Sequence, residues 1–166
     1  MPRRQASVPP PEPSAMAAAT PPLPPGRFER RWTLREEREA IESLQADVCA
    51  ALHGAGFPEA SVFAVRLALE EALVNGFRHG NRGDPTKTVT VRCAIDDAEA
   101  EVDVTDQGEG FDPSSVPDPT AEENIEIPSG RGIMLMRAYM SVVEYVPPGN
   151  RLRIVYVMPA PGAPAA

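Results

Sequence analysis

Phe28 to Leu34 alternates loosely between apolar and polar positions around Trp32, which predicts a first strand or an extended lead-in. From Arg35 to Leu52 the rhythm changes. Ile41, Leu44, Val48 and Leu52 recur at spacings of three and four, which predicts a helix ending near His53-Gly54, where Gly54 or Gly56 can take a left-handed cap. Pro58 in a first turn, followed by Glu59, opens a second helix. Its stripe of Val62, Val65, Leu69, Ala72 and Gly76 is widened by Phe63, Leu67, Leu73 and Phe77, so this helix is covered on more than one side. It stops at His79-Gly80-Asn81, and the run Asn81-Arg82-Gly83-Asp84-Pro85 is turn chemistry.

Thr88 to Ile95 and Ala100 to Thr105 read as two strands of an antiparallel hairpin, turning at Asp96-Asp97. Val102 and Val104 share one face, Asp103 and Thr105 the other. Phe111 to Ser129 is irregular, rich in proline and acid, and a loop of that length is usually functional or mobile. A short helix, Gly132 to Met140, follows. Val142 to Val146 and Leu152 to Val157 then form a closing hairpin around Pro147-Pro148-Gly149-Asn150. This order predicts an α+β fold: a two-layer α/β sandwich with helices on one face of a mixed, mostly antiparallel sheet.

Composition narrows the picture. The chain of 166 residues is 42% apolar, enough for one domain with a single core. Residues 1–26 hold nine prolines and five alanines and read as a disordered tail, as does 159–166, which leaves 27–158 as the folded part. Net charge is −8 and Lys87 is the only lysine, so there is no electrostatic footprint for nucleic acid. Such acidity suits a basic protein partner, or simply solubility. Cys49 and Cys93 are far apart among apolar neighbours, which favours buried thiols over a metal site. Arg3-Arg4 is followed by prolines rather than an apolar run, and no stretch is long enough to cross a bilayer, so a cytoplasmic location is expected.

Three segments carry candidate chemistry. Glu71 and Asn75 are one helical turn apart and project from the same face. The carboxylate can accept a proton from an attacking hydroxyl, and the amide oxygen can serve Mg²⁺, which takes its other ligands from water and phosphates. Glu70 is a decoy, since its partner four residues on is Val74. Asp106 ends a strand before Gly108 and Gly110, where a carboxylate can accept from an exocyclic amine and bare glycines admit a flat ring. Gly130 and Gly132 precede a helix, whose free N–H groups favour phosphate. Each segment also has a bland reading: a solvated helix face, an acidic turn, a flexible junction. His79 reads first as a basic residue complementing a helix end.

In combination the segments resemble the gyrase/Hsp90/histidine-kinase/MutL ATPase superfamily, and most closely the bacterial anti-sigma-factor serine kinases. E-A-L-V-N-G-F-R-H-G-N from Glu71 is similar to their N box, D-Q-G-E-G-F-D from Asp106 to the first glycine box, and S-G-R-G-I-M-L-M-R from Ser129 to the second. The resemblance runs from about Leu34 to Val157 and implies a histidine-kinase-like domain with the Bergerat-type ATP-binding fold. It implies Glu71 as general base and Asn75 as Mg²⁺ ligand. Asp106 would bind adenine in a pocket shaped by Gly108 and Gly110, and Gly130, Arg131 and Gly132 would lie at the phosphates, with 111–129 as the ATP lid. Some relatives place a basic residue just before the Ser-Gly of the second glycine box; this chain has Pro128 there, with Arg131 between the glycines.

The resemblance further implies a serine or threonine on a small anti-sigma-antagonist protein as substrate, a sigma factor as second partner, and a homodimer. A nucleotide-gated binding module that moves no phosphate is the alternative. A sensor histidine kinase is disfavoured, because His53 and His79 both fall inside the proposed fold.

Overall fold

A computed structural model describes residues 26–110 and 131–159, with Arg131 placed by its backbone alone. The expected lid, Pro128, Gly130, the Arg131 side chain and all but one residue of each expected tail lie outside the described residues. The chain runs β1 (Phe28–Leu34), α1 (Arg38–Gly54), α2 (Glu59–Val74), β2 (Val89–Ile95), β3 (Glu99–Thr105), α3 (Arg131–Tyr139), β4 (Val142–Val146) and β5 (Arg151–Val157). The strands form one sheet in the order β1-β2-β3-β5-β4, and every pairing is antiparallel.

The period-two alternation sends one face of that sheet under the helices. Val89, Val91, Cys93 and Ile95 of β2, Val102 and Val104 of β3, and Leu152 and Ile154 of β5 are all buried. Against them pack Leu44, Val48 and Leu52 of α1, then Val65, Leu69 and Ala72 of α2, then Met136 from α3. Helix α2 lies over the middle strands β3 and β5, with α3 alongside it, which covers most of its broad apolar face; Phe63, expected to widen the buried stripe, is instead 53% exposed.

Three boundaries differ instructively from the sequence expectation. Helix α1 starts at Arg38 rather than Arg35, because Glu37 is extended (φ −115, ψ 124) and its N–H closes a turn on the Arg35 carbonyl at 2.7 Å. Its far end is as expected: Gly56 takes φ +88, and the Phe57 N–H returns to the Leu52 carbonyl at 3.0 Å. Pro58 stands just outside α2, its carbonyl accepting from the Ser61 and Val62 N–H groups. Beyond Val74 the helix widens into π-type winding over Asn75–Gly80, and the Asn81 N–H reaches back five residues to the Gly76 carbonyl at 2.8 Å.

The helix-free face is polar and internally paired. Arg92 of β2 bonds Glu29 and Glu101, each at 2.8 Å, and Asp103 at 3.4 Å. Arg151 and Arg153 of β5 reach the same acids from the other side, Asp103 at 2.8 Å and Glu101 at 2.6 Å. Alternating columns of cation and anion across neighbouring strands satisfy one another, so this face needs no covering layer.

Candidate functional site

The end of α2 meets the start of α3 at Glu71 and Gly132, and the winding beyond α2 meets the segment after β3 at Gly80 and Asp106. Glu71 is half-buried and its Oε2 lies against the Cα of Gly132, where a β-carbon would collide with it. No described residue donates a hydrogen bond to that carboxylate. Glu70, by contrast, is exposed. One turn along, Asn75 is also half-buried. Its Nδ2 is buried and meets no acceptor in bonding geometry among the described residues; its amide oxygen is an acceptor of the kind a hard cation takes. Tyr145 of β4 shares this neighbourhood. Burial pushes its hydroxyl up to about 12, the Asn75 amide pulls against that rise, and the Asp106 charge adds to it.

The wide turn brings Gly80 directly beneath Asp106. A β-carbon on Gly80 would overlap the Asp106 carboxyl, and one on Gly108 would overlap the Gly80 carbonyl oxygen. These two glycines are required for close approach. The Gly108 N–H donates to Asp106 Oδ1 at 2.7 Å. Burial raises the Asp106 pKa above the ordinary carboxylate range, while the Gly108 N–H, its own N–H and Lys87 oppose the rise. Gly110 takes φ +79 over the Pro148 carbonyl in the β4–β5 turn, a second close backbone approach.

Asn81 has a place the sequence did not disclose. Within a run that reads as turn chemistry it is 1% exposed. Its Oδ1 accepts from the Gln107 N–H at 2.8 Å and its Nδ2 donates to the Thr88 carbonyl at 3.1 Å. Gln107 completes the link by accepting the Thr88 N–H at 2.7 Å. Polarity of the run hid this burial, and no periodicity exists there to reveal it. His79 is exposed in the last winding, as expected of a helix-end base.

The structure thus brings Glu71 against Gly132 and Gly80 and Gly108 against Asp106, with Tyr145 between the Asn75 amide and the Asp106 charge and Gly110 over the β4–β5 turn. Gly130 and the Arg131 side chain, outside the described residues, are not among them. Among the described residues no group of three or more His, Cys, Asp or Glu could hold a metal by itself. A single amide oxygen beside an acid fits a cation that brings its own waters and takes further ligands from a phosphate substrate. Asp106 held against Gly80 and Gly108, half-buried Glu71 against Gly132 and the Asn75 amide one turn on offer acceptors of the kind a nucleotide and its cation would need.

The histidine kinase-like ATPase domain family matches residues 34–156. The chain belongs to that family. It is also similar to the "Anti-sigma F factor" of Oceanobacillus iheyensis, 27% identical over 96 residues, which are 56% of this chain and 65% of that protein. The chain thus spans just under two thirds of that relative's length. No helix among the described residues is long and apolar enough to cross a membrane.

Proposed function

We propose that this member of the ATPase family is a Mg·ATP-dependent protein serine/threonine kinase of the anti-sigma-factor type. Its substrate is a small anti-sigma-antagonist protein, and it holds a sigma factor by partner switching. One observation carries the reading: residues separated by some 60 positions, Glu71 and Gly132, meet face to face, with Asn75 one turn away. The likeness to an anti-sigma factor supports the partner class.

In this reading the Asp106 carboxylate accepts from the 6-amino group of adenine, and Gly80 and Gly108 leave room for the ring. Asn75 would hold Mg²⁺ through its amide oxygen, and the cation, when bound, neutralises charge on the phosphates. Glu71 takes the proton of the acceptor hydroxyl as that oxygen bonds to the γ-phosphorus; the bond from that phosphorus to the bridging oxygen breaks and ADP leaves. Gly130, Arg131 and Gly132 would contact the phosphates, as the second glycine box implies. Purified protein with labelled Mg·ATP should phosphorylate its cognate antagonist, and no label on the partner would overturn kinase activity.

Pro128, standing where some relatives carry a base, and the acids of 111–129 favour a second reading, in which ATP shapes a docking surface and no phosphate moves. Label appearing on the partner rules it out.

A further inference from the structure

We propose that Asn81, acting through Gln107, is the positioning residue that fixes Asp106 for its ligand and thereby sets selectivity for a 6-aminopurine. The inference rests on the nucleotide reading above and adds to it a residue outside the three motifs' contact positions.

A buried asparagine is costly unless its amide is used on both sides. Asn81 uses both, and the partners come from distant places. Its own N–H reaches the Gly76 carbonyl in the wide turn at 2.8 Å. Its Nδ2 holds the Thr88 carbonyl at the entry to β2, and its Oδ1 holds the N–H of Gln107, 26 residues away and next to Asp106. Thr88 is gripped twice, because its N–H goes to Gln107 Oε1. One side chain therefore ties three segments together.

That tie bears on Asp106 from both directions. Gly80, which precedes Asn81, forms the surface on which the carboxyl rests. Gln107, which follows Asp106, is the residue Asn81 anchors. On the remaining side, the Asp106 N–H donates to the Asn150 carbonyl at 2.9 Å, and Asn150 Nδ2 donates to the Asp106 carbonyl at 3.3 Å. Held at each flank, the carboxyl offers its free oxygen at a fixed place, which is what discrimination between an amino group and a keto oxygen demands.

An ordinary turn asparagine would not look like this. The turn is already managed by exposed Asp84, whose Oδ1 accepts the Thr86 N–H at 2.9 Å and its hydroxyl at 2.7 Å. Asn81 instead reaches inward across the fold.

The test compares ATP with inosine triphosphate, which lacks the 6-amino group, by titration calorimetry well below the melting temperature. Wild type prefers ATP. Asn81→Ala weakens ATP binding about tenfold, the loss of one hydrogen bond's worth of positioning. Gln107→Ala, which removes only the bond to the Thr88 N–H, weakens it less, and both leave inosine triphosphate unchanged. Gln107→Glu, which keeps the acceptor for the Thr88 N–H, retains the preference. In an Asp106→Ala background neither substitution changes ATP binding further. Equal weakening of both nucleotides, or a further loss of ATP binding without Asp106, would mean a structural role only and overturn the proposal. Alanine at 107 keeps the backbone N–H that Asn81 holds, so Asn81→Asp, which retains the Oδ acceptor for it and should keep the ATP preference, decides the matter if Asn81→Ala fails to fold. ATP binding that responds to Asp106→Ala but ignores Asn81→Ala, or an Asn81→Asp variant without the preference, sinks this inference alone. No ATP binding by wild type sinks the nucleotide reading and this with it.

Discussion

The carboxylate of Glu71 closes against the α-carbon of Gly132, so the helix that carries the acid and the helix that opens at the glycine leave no room for a β-carbon between them. The atom in the way is the tip of a flexible side chain, not backbone. Gly132→Ala should therefore fold with little loss of stability while displacing the carboxylate. Labelled-ATP assays should show transfer cut at least about tenfold, and Glu71→Gln should cut it about 100-fold or more with ATP affinity nearly unchanged. Full transfer by Glu71→Gln would remove that residue from its role.

Asp106 trades stability for binding. Burial raises its pKa in the folded chain above the unfolded value of about 3.9, so the folded protein takes up the proton more readily. Its contribution is then most favourable below the unfolded value and declines as pH rises through the folded one. Asp106→Asn should melt at or above the wild-type temperature at pH 7 without ligand, with the gain vanishing by about pH 3. The same variant should lose the stabilisation that Mg·ATP gives wild type. A lower melting temperature at pH 7 would make the carboxylate a structural group.

Most elements were legible from apolar spacing, since strands that bury one face alternate and helices that bury a stripe recur at three and four. The three motifs were legible as motifs. What spacing could not show is distance. That Gly80 forms the seat of Asp106 depends on the change of winding after Val74, and nothing in Asn75-Gly76-Phe77-Arg78-His79-Gly80 signals it. Asn81 was hidden for the opposite reason: polar, between His-Gly and Arg-Gly, it has every mark of a surface turn and yet is buried. Tyr145, an ordinary strand aromatic by sequence, enters the site only because β4 folds back beside α3.

On the open sheet face, Arg92 is the hub of three carboxylates and its side chain is 26% exposed. Arg92→Met should leave Glu29 without its cation and Glu101 and Asp103 with one arginine each, at a cost of about 2 kcal/mol after allowing for solvent. Burial pushes Glu101 up, but Arg153 and Arg92 outweigh it and hold the carboxyl below its usual range. Its stabilisation is present above the unfolded value and fades as pH falls through the folded one. Urea titrations should thus show the variant's deficit at pH 7 shrinking towards pH 3. An unchanged midpoint at pH 7 would show the network to be idle.

The two thiols should separate by reactivity. Burial pushes Cys93 up to about 12, whereas Cys49 is half-buried and only raised. A disulfide reagent at pH 8 should modify Cys49 slowly and leave Cys93 untouched until denaturant is added. Rapid loss of both thiols in the native protein would contradict the packing of β2 beneath the helices.

Winding through Asn75–Gly80 turns less per residue than the helix before it, so Gly80 arrives under Asp106 rather than past it. Deleting any one residue there would restore regular winding and leave every upstream core contact in place, yet it would rotate the seat out from under the acid. Whoever splices a chimera or shortens this domain must conserve the count between Val74 and Asn81, because the phase of the whole junction hangs on that one surplus residue.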